Sequence, residues 1–275
     1  MAQHPFKTLG ILLLALLCSG CSDVNDRNRL VVYLCDSPAA YSGVNVYIES
    51  VEVRRTVGSE GGEAGGTWVP MEMPGRYFAL MELVNGKMQE AGSAALPAGS
   101  TYDAVRIRFA AENDRLVVAG ENFPLAVAEE DAAVVVDFPA VTMNGPDRPL
   151  LFDIDVAASV VEDSGTESGY RFRPQVSFVD TDACGVVQGG LQAGSAAVRS
   201  RLWLRFVDEA TGRIQSTYCS IDPAGAFFMR LTPGEYTLEV VPDERAGVRP
   251  YSTRIAVARQ QITDLGMIVL ETNGY

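Results

Sequence analysis

The stretch that decides the fold is residues 44–53, VNVYIESVEV. Apolar side chains occupy every second position up to Ile48, which is the pattern of a strand with one buried face. The alternation resumes at Val51 in the opposite phase. A slip of one residue at Glu49-Ser50 indicates a β-bulge, because a bulge keeps the apolar side chains on the same face of the strand. We therefore predict a bent strand in a β-sheet.

The chain on both sides of this strand follows the same pattern. Short apolar runs are separated by Gly, Pro, Asn and Asp, which are turn residues. The one helical candidate is residues 77–83, ended by Asn85-Gly86, and the glycine-rich residues 58–66 predict a mobile hairpin loop. We predict an all-β protein with at most one or two short helices and with strands at 30–34, 68–69, 105–109, 116–118, 134–138, 150–156 and 170–179.

A polar break at residues 180–183 divides the chain into two parts. Residues 29–181, called the first unit below, and residues 184–272, called the second unit, each contain enough alternating runs for a β-sandwich. No long linker separates the two runs of strands. We therefore expect two β-sandwich domains that pack against each other.

The N-terminus predicts an export signal rather than part of the fold. Residues 9–17, LGILLLALL, are apolar but too few to span a bilayer, which takes about 20 residues. A run of this length suits a secretory signal peptide. The small pair Ser19-Gly20 before Cys21 resembles the lipobox of bacterial lipoproteins, which implies a signal peptide over residues 1–20 that is cleaved off.

The same resemblance implies a membrane anchor at Cys21, whose thiol and new amino group would be acylated. Two or three acyl chains hold a protein stably at a bilayer. Ser22 implies the outer membrane, because an Asp at that position is the usual signal for inner-membrane retention. Residues 21–28 then form a short polar tether. The alternative is an ordinary cleavage site that leaves Cys21 unmodified.

The composition argues against several function classes. The chain has 22 Lys+Arg and 35 Asp+Glu, a net charge of −13, whereas a nucleic-acid binder needs a basic face. The single histidine is His4, which leaves with the signal peptide. The mature protein then has no imidazole for Ser-His-Asp or Cys-His catalysis or for metal binding. We predict a protein without enzymatic activity, metal or cofactor.

The first unit resembles DUF4382, a family of domains found in secreted lipoproteins of Gram-negative bacteria. The resemblance lies in the order and spacing of five stretches. It implies a fold and an envelope setting but no reaction. The stretches are 32–41, 44–53, 77–86, 96–108 and 151–174.

The second unit resembles the carboxypeptidase regulatory-like domain, a transthyretin-like β-sandwich. Three signatures at 222–227, 233–238 and 264–270 carry this resemblance, which implies a structural spacer or a binding module. Gly225 and Gly234 lie within two of the signatures. We expect both to supply turn conformations that other residues resist.

Two acidic groups are candidate sites. Asp153 and Asp155 would share one face of a strand, about 7 Å apart, where they could hold Ca²⁺ or act as an acid–base pair. The alternative is a solvated face opposite Phe152 and Ile154. The charge run 129–131, Glu-Glu-Asp, predicts a solvated turn.

An outward face of arginine and aromatic residues is the strongest candidate for ligand binding. Leu202, Leu204 and Phe206 should enter the core, so the residues between them should point outward. Such groups can contact a sugar ring or an anionic glycan. The alternative is that this face packs on the first unit or forms cation–π pairs at the surface. The candidate residues are Arg199, Arg201, Trp203, Arg205, Phe228 and Arg230.

Three cysteines follow Cys21 in the chain. An exported protein permits disulfides, and we expect one between Cys184 and Cys219 within the second unit. Cys35 is then a small buried apolar residue at the end of a strand. A nucleophilic role would need an activating base, and the mature chain has no histidine to supply it.

These inferences favour a lipid-anchored envelope protein that binds rather than catalyses. Its expected role is adhesion or surface interaction with an unknown protein or glycan partner, including association with fimbriae. The alternative is a carbohydrate-binding accessory lipoprotein that captures glycans through Trp203. A remoter alternative is a glycosidase without histidine that works through paired carboxylates.

Overall fold

A computed structural model of the chain describes residues 28–37, 39, 41–56, 66–221, 225–243 and 245–273. The predicted signal peptide, Cys21, almost all of the tether, almost all of the glycine-rich loop and part of the 222–227 signature lie outside these residues. The regular structure of the described residues is almost entirely β-strand, which confirms the all-β prediction.

The first unit contains fourteen of the strands. They are β1 (Arg29–Ser37), β2 (Gly43–Arg55), β3 (Thr67–Pro70), β4 (Tyr77–Ala79), β5 (Gln89–Ala95), β6 (Thr101–Phe109), β7 (Arg115–Val118), β8 (Glu121–Pro124), β9 (Ala126–Val127), β10 (Ala133–Thr142), β11 (Arg148–Asp155), β12 (Val160–Glu162), β13 (Tyr170–Phe172) and β14 (Val176–Val179). The second unit contains β15 (Gly185–Ala193), β16 (Ala196–Ala197), β17 (Trp203–Asp208), β18 (Ile214–Tyr218), β19 (Phe227–Leu231), β20 (Gly234–Val241), β21 (Tyr251–Val257) and β22 (Ile262–Leu270).

Helical structure is limited to three single turns in the part of the chain that the structure describes. One is the α-helix α1 (Val156–Ser159), and the others are 3-10 turns at Leu80–Glu82 and Glu129–Asp131. The 3-10 turn at Glu129–Asp131 contains no buried residue, as expected for a solvated turn. Among the described residues, no helix has the length and apolarity that a membrane span requires.

The first unit is a sandwich of two main sheets around one core. One sheet has the strand order β14-β11-β1-β5, and the other has the order β10-β6-β2-β7-β8, with β3 and β4 also pairing with β2. Leu34 and Phe152 from the first sheet and Ile48, Val53 and Phe109 from the second are fully buried in one cluster. Strands β12, β13 and β9 form a third, small sheet.

The predicted bulge in β2 is present. The pairing of β2 with β6 shifts register between Ile48 and Ser50. Val46 and Ile48 before the shift and Val51 and Val53 after it are all buried. The extra residue therefore turns both halves of the strand toward the same core.

The predicted helix over 77–83 is wrong in its first half. Residues Tyr77–Ala79 form β4, in which Phe78 is fully buried against β2. Aromatic residues favour such a pleated, half-buried position. Only Leu80–Glu82 turn as a 3-10 helix before the turn at Asn85-Gly86. Pairing with a distant strand overrides the local helical pattern.

The predicted strand over 170–179 is two strands in different sheets. β13 belongs to the small sheet, whereas β14 is the edge of the four-stranded sheet. Pro174 lies between them, and a proline cannot donate a hydrogen bond to a strand ladder. The chain therefore leaves one sheet at this residue and enters another.

The second unit is also a sandwich. One sheet has the order β16-β15-β19, with β22 also pairing with β15, and the other has the order β18-β17-β20-β21. Val187 and Leu231 from the first sheet and Leu204, Phe206 and Leu238 from the second are buried in a cluster of their own. The alternation at residues 202–206 is thus as predicted, with the apolar side chains inside.

The turn expectation is right for one glycine and wrong for the other. Gly225 has a φ of +79°, a conformation that residues with a Cβ resist. Gly234 does not have positive φ, because it is the first residue of β20, where it is exposed. An ordinary strand conformation at Gly234 places no demand on the residue type.

Candidate functional site

A cleft with a volume of about 770 Å³ lies between the two units. The first unit lines it with the C-terminal ends of β1 and β11 and with β14, and the second unit lines it with β17, β18 and β19. This volume falls in the range of sites for small molecules. The cleft is the candidate site because charged and aromatic side chains from both units meet there.

The first unit supplies the carboxylates of the cleft. The parallel pairing of β1 with β11 sets Cys35 beside Asp153, and the Cys35 Sγ–H donates to Asp153 Oδ1 at 3.7 Å. Asp155 Oδ1 accepts from the Ala158 N–H at 3.0 Å and so caps α1. We define the acidic wall as the carboxylates that line the cleft, which are Asp36, Asp153, Asp155 and Asp180.

Asp153 and Asp155 share one face of β11, because side chains alternate along a strand. Phe152 and Ile154 on the opposite face are fully buried, whereas Asp153 is half-buried and Asp155 is exposed. Within the described ranges, no group of three or more His, Cys, Asp or Glu side chains is arranged to hold a metal ion. The two carboxylates offer hydrogen-bond acceptors to the cleft.

The second unit supplies aromatic rings and guanidinium groups. Phe228 and Arg230 alternate along β19, so both point to the same side, and the Arg230 guanidinium lies 4.8 Å from the centre of the Phe228 ring. That distance is within the range of a cation–π contact. The Trp203 ring stands perpendicular to the Tyr218 ring, with centroids 4.6 Å apart. We define the aromatic-basic wall as Trp203, Arg213, Phe228 and Arg230.

Hydrogen bonds join the two units beside the cleft. The Asn85 side-chain amide donates to the Ala226 carbonyl at 3.0 Å, and the Phe228 N–H donates to Asn85 Oδ1. The Tyr218 hydroxyl donates to the Ala39 carbonyl at 3.1 Å. One amide side chain of the first unit thus continues the hydrogen bonding of β19, an edge strand of the second.

Three of the six predicted arginine and aromatic residues line the cleft, namely Trp203, Phe228 and Arg230. The alternative prediction, in which the arginine and aromatic face packs on the first unit, also holds. Gly86 of the first unit lies so close to Phe228 that a Cβ on it would overlap the ring. The same face therefore contacts the first unit and forms one wall of the cleft.

The other three arginines lie outside the cleft lining. Arg201 faces the first unit, with its Nη2 atom 3.6 Å from a Glu82 carboxylate oxygen. Arg205 pairs with Glu239 of β20 at 3.2 Å. Arg199 is exposed ahead of β17. The structure does not bring these three together into one ligand site.

The expected disulfide between Cys184 and Cys219 is not formed: both are free thiols in the structure, as is Cys35. Cys184 precedes β15 beside the Leu231 end of β19, whereas Cys219 lies near the Ala226 end. At 3.3 Å per residue, Ala226 and Leu231 are about 16–17 Å apart. A disulfide needs Cα atoms within about 7 Å of each other.

Burial raises the pKa of all three thiols. For Cys35 the charge of Asp153 raises the pKa further, and for Cys184 the charge of Asp180 does so. The thiolate is the nucleophilic form of cysteine. Thiols with raised pKa values stay protonated at neutral pH and react slowly.

We predict that Cys184 and Cys219 are recovered as thiols from the exported protein. After unfolding in iodoacetamide without reductant and digestion, mass spectrometry should find both cysteines alkylated, because their strand ends are too far apart to join. A digest of the reduced protein is the control for peptide recovery. Peptides that remain linked through these two cysteines would contradict the structure.

Sequence reasoning missed the residues that join the units. The Asn85-Gly86 dipeptide does predict a turn, and both residues have positive φ. Nothing local shows that the Asn85 amide reaches Ala226, 141 residues later. Tyr218 likewise has a polar tip whose partner in the first unit is not visible in the sequence. Only the packing of the two units brings these partners together.

Asn85→Ala should loosen the contact between the units. The change removes the hydrogen bonds to Ala226 and Phe228 and leaves alanine at a φ of 60°, which together cost about 2–3 kcal/mol. We expect scanning calorimetry to show the unfolding midpoints of the two units further apart than in the wild type. Asn122→Ala on the exposed strand β8 is the matched control. Equal effects of the two changes would argue against this bridge.

The geometry can be set beside known proteins. The family model for a "Domain of unknown function (DUF4382)" matches residues 28–174, more than half of the 275 residues. The chain belongs to this family. The DUF4382 match contains Asp36, Asp153 and Asp155 of the acidic wall, whereas the entire aromatic-basic wall lies outside it. The cleft is therefore formed between the DUF4382 domain and the chain that follows it.

Solved structures resemble this chain at low similarity. The Bacillus anthracis TIE protein is 8% identical with a TM-score of 0.28, over 89% of this chain and 40% of that one. GBS52, the minor pilin of Streptococcus agalactiae, is 9% identical with a TM-score of 0.28, over 89% and 97%. The shaft pilin SpaA of Lactobacillus rhamnosus GG is 8% identical with a TM-score of 0.27, over 90% and 98%. No curated protein matches the chain.

Proposed function

We propose that this chain is a lipid-anchored protein of the bacterial cell envelope that binds a partner in the cleft between its two units. The observation that carries the proposal is the cleft itself. Its two walls come from different units and bring carboxylates opposite aromatic and guanidinium groups. A small number of polar groups that converge beside aromatic side chains is typical of a binding site.

The chemistry of the cleft supports binding without catalysis. Its two thiols, Cys35 and Cys184, have raised pKa values and so are poor nucleophiles. One oxygen of Asp155 is engaged in capping α1. These groups suit the recognition of a ligand better than an attack on it.

An anchor at Cys21 fits the position of the first unit in the chain. β1 begins at Arg29, so a short tether would place the DUF4382 domain close to the outer membrane. The second unit, with its resemblance to carboxypeptidase regulatory-like domains, would serve as a binding module. We propose adhesion or surface interaction, including association with fimbriae, as the role of the whole protein.

The cleft is tested by cross-linking in intact cells. Ser177 on β14 is exposed and lines the cleft. Ser252 on β21 is also exposed but lies outside the cleft lining. Ser177→Tyr should obstruct the cleft and reduce the recovery of the cross-linked partner at least tenfold. Ser252→Tyr should leave recovery unchanged. Equal recovery with both variants would show that the partner does not bind in the cleft.

The anchor is tested by metabolic labelling with a palmitate analogue. The wild type should incorporate the label and fractionate with outer membranes, because acylation at Cys21 supplies its membrane affinity. Cys21→Ala should lose the label, and Cys18→Ala should keep it. A Cys21→Ala protein that still carries the label would contradict the proposed anchor.

A further inference from the structure

We infer that the cleft between the units binds a short, uncharged oligosaccharide. The inference rests on the proposed function, since it names the ligand class of the same site. Three observations support it: the charges of the two walls, the aromatic rings of the aromatic-basic wall, and the carboxylate partners of the arginines outside the cleft.

The two walls of the cleft carry opposite charges. All four carboxylates of the acidic wall precede residue 181, and both guanidinium groups of the aromatic-basic wall follow residue 212. Four carboxylates against two guanidinium groups leave an excess of negative charge that repels an anion, and the guanidinium groups repel a cation placed against the second wall. A neutral ligand that donates to carboxylates and accepts from guanidinium groups satisfies both. Hydroxyl groups do both at once.

The rings of the aromatic-basic wall are held in place before any ligand arrives. Trp203 is half-buried and is set by its perpendicular contact with Tyr218. Phe228 lies between Gly86 on one side and the Arg230 guanidinium. The Phe228 ring is thus covered by its neighbours, whereas the half-buried Trp203 ring lines the cleft. A rigid aromatic ring beside polar groups suits the flat, C–H-bearing face of a sugar ring, because it buries apolar surface at little conformational cost.

The partners of the arginines outside the cleft argue against an anionic glycan. Arg201 already faces Glu82, and Arg205 already pairs with Glu239. An anionic ligand would have to compete with these carboxylates and with the acidic wall. Arg201 and Arg205 are therefore not available as additional cations for sulfate or uronate groups, which bind best where several guanidinium groups converge.

Saccharide binding in the cleft can be measured with a variant that keeps only one tryptophan. The chain has two tryptophans, so Trp68→Phe leaves Trp203 as the reporter in the cleft. We would titrate the full chain with maltotriose, cellotriose, mannotriose and triacetylchitotriose while recording fluorescence, and repeat each titration by calorimetry. At least one neutral trisaccharide should change the Trp203 emission in a saturable way. Trigalacturonate, chitosan trimer and triglycine serve as anionic, cationic and zwitterionic probes.

Matched variants locate the bound sugar. Ser177→Tyr and Arg230→Gln should each raise the Kd at least tenfold, because the first places a bulky ring in the cleft and the second removes a charged donor. Ser252→Tyr and Arg254→Gln, at an exposed serine and an exposed arginine of β21, should leave the Kd unchanged. A charged or zwitterionic probe that binds more tightly than every neutral trisaccharide would overturn the inference.

The inference and the proposed function can fail separately. If no neutral trisaccharide binds but Ser177→Tyr still abolishes cross-linking in cells, the saccharide class is wrong and the cleft remains the binding site. If trisaccharides bind equally well to the Ser177→Tyr and Arg230→Gln variants, the sugar site lies elsewhere and the inference is overturned.

Discussion

Gly225→Ala should lower the free energy of unfolding of the second unit by about 3 kcal/mol or more. Gly225 has a φ of +79°, and a Cβ there would overlap the carbonyl oxygen of Leu191 on β15. The Leu191 N–H also donates to the Gly225 carbonyl at 3.0 Å. Alanine would have to move the backbone, and that movement would break the bond. Urea unfolding monitored by tryptophan fluorescence measures the loss.

The matched control for this prediction is Gly234→Ala. The two glycines lie in neighbouring signatures of the same unit, but Gly234 starts β20 without positive φ, and a Cβ there would lie 3.5 Å from the Tyr236 ring. That is an ordinary van der Waals contact, so we expect a change within about 0.5 kcal/mol. Equal losses for both variants would show that backbone strain at Gly225 is not the cause.

Asp114→Asn should stabilise the first unit by about 3–4 kcal/mol above pH 7 and have little effect below pH 4. Asp114 is fully buried. Its Oδ1 atom accepts from the Tyr47 N–H at 2.7 Å, and its Oδ2 atom has no hydrogen-bond partner among the described residues. Burial raises the pKa of Asp114 to about 7, although the Tyr47 N–H and Arg115 act in the opposite direction.

The direction of this pH dependence follows from the number of protons that Asp114 holds in the native and unfolded states. An unfolded Asp has a pKa of about 3.9, so between pH 4 and pH 7 the native state holds a proton that the unfolded state has released. The free energy of unfolding of the wild type therefore falls by about 1.4 kcal/mol per pH unit from this residue and levels off above pH 7. Asparagine keeps the acceptor for Tyr47 and does not titrate.

Urea unfolding at several pH values between 4 and 8.5 tests this prediction. Asp182→Asn, at an exposed aspartate near the junction of the units, is the control and should reproduce the pH dependence of the wild type. Asp114→Asn should flatten it. A slope between pH 4 and pH 7 that is unchanged by Asp114→Asn would show that this carboxyl ionises freely in the folded protein.

Much of the fold could be predicted because burial leaves a period of two in the sequence. The bulge in β2 appears in the phase slip at Glu49-Ser50, and the core face of β17 appears in Leu204 and Phe206. The prediction failed at residues 77–83, where a local pattern of helical type lies in a segment that pairs with β2. Local pattern cannot show which strand a segment will meet, because pairing depends on residues far away in the chain.

In the candidate site, too, some features could be predicted from the sequence and others depended on distant contacts. Five of the eight wall residues stood out in the sequence: Asp153 and Asp155 as a carboxylate pair, and Trp203, Phe228 and Arg230 as outward groups. Asp36, Asp180 and Arg213 were missed. The common location of the wall residues did not stand out, because they come from different units. The arginines were also overestimated, since the carboxylates that neutralise Arg201 and Arg205 lie on other elements.

The sequence by itself determined the all-β class and the inward and outward faces of the strands, because each depends on residues close together in the chain. It also determined the family of the first unit, because the order and spacing of motifs can be read along the chain without knowing how it folds. Only the tertiary structure decided that the arginine and aromatic face turns toward the first unit, that Cys184 and Cys219 lie at opposite ends of β19, and that the two walls meet. These features depend on how two separately buried cores dock, and the contacts that set the docking join residues more than a hundred positions apart.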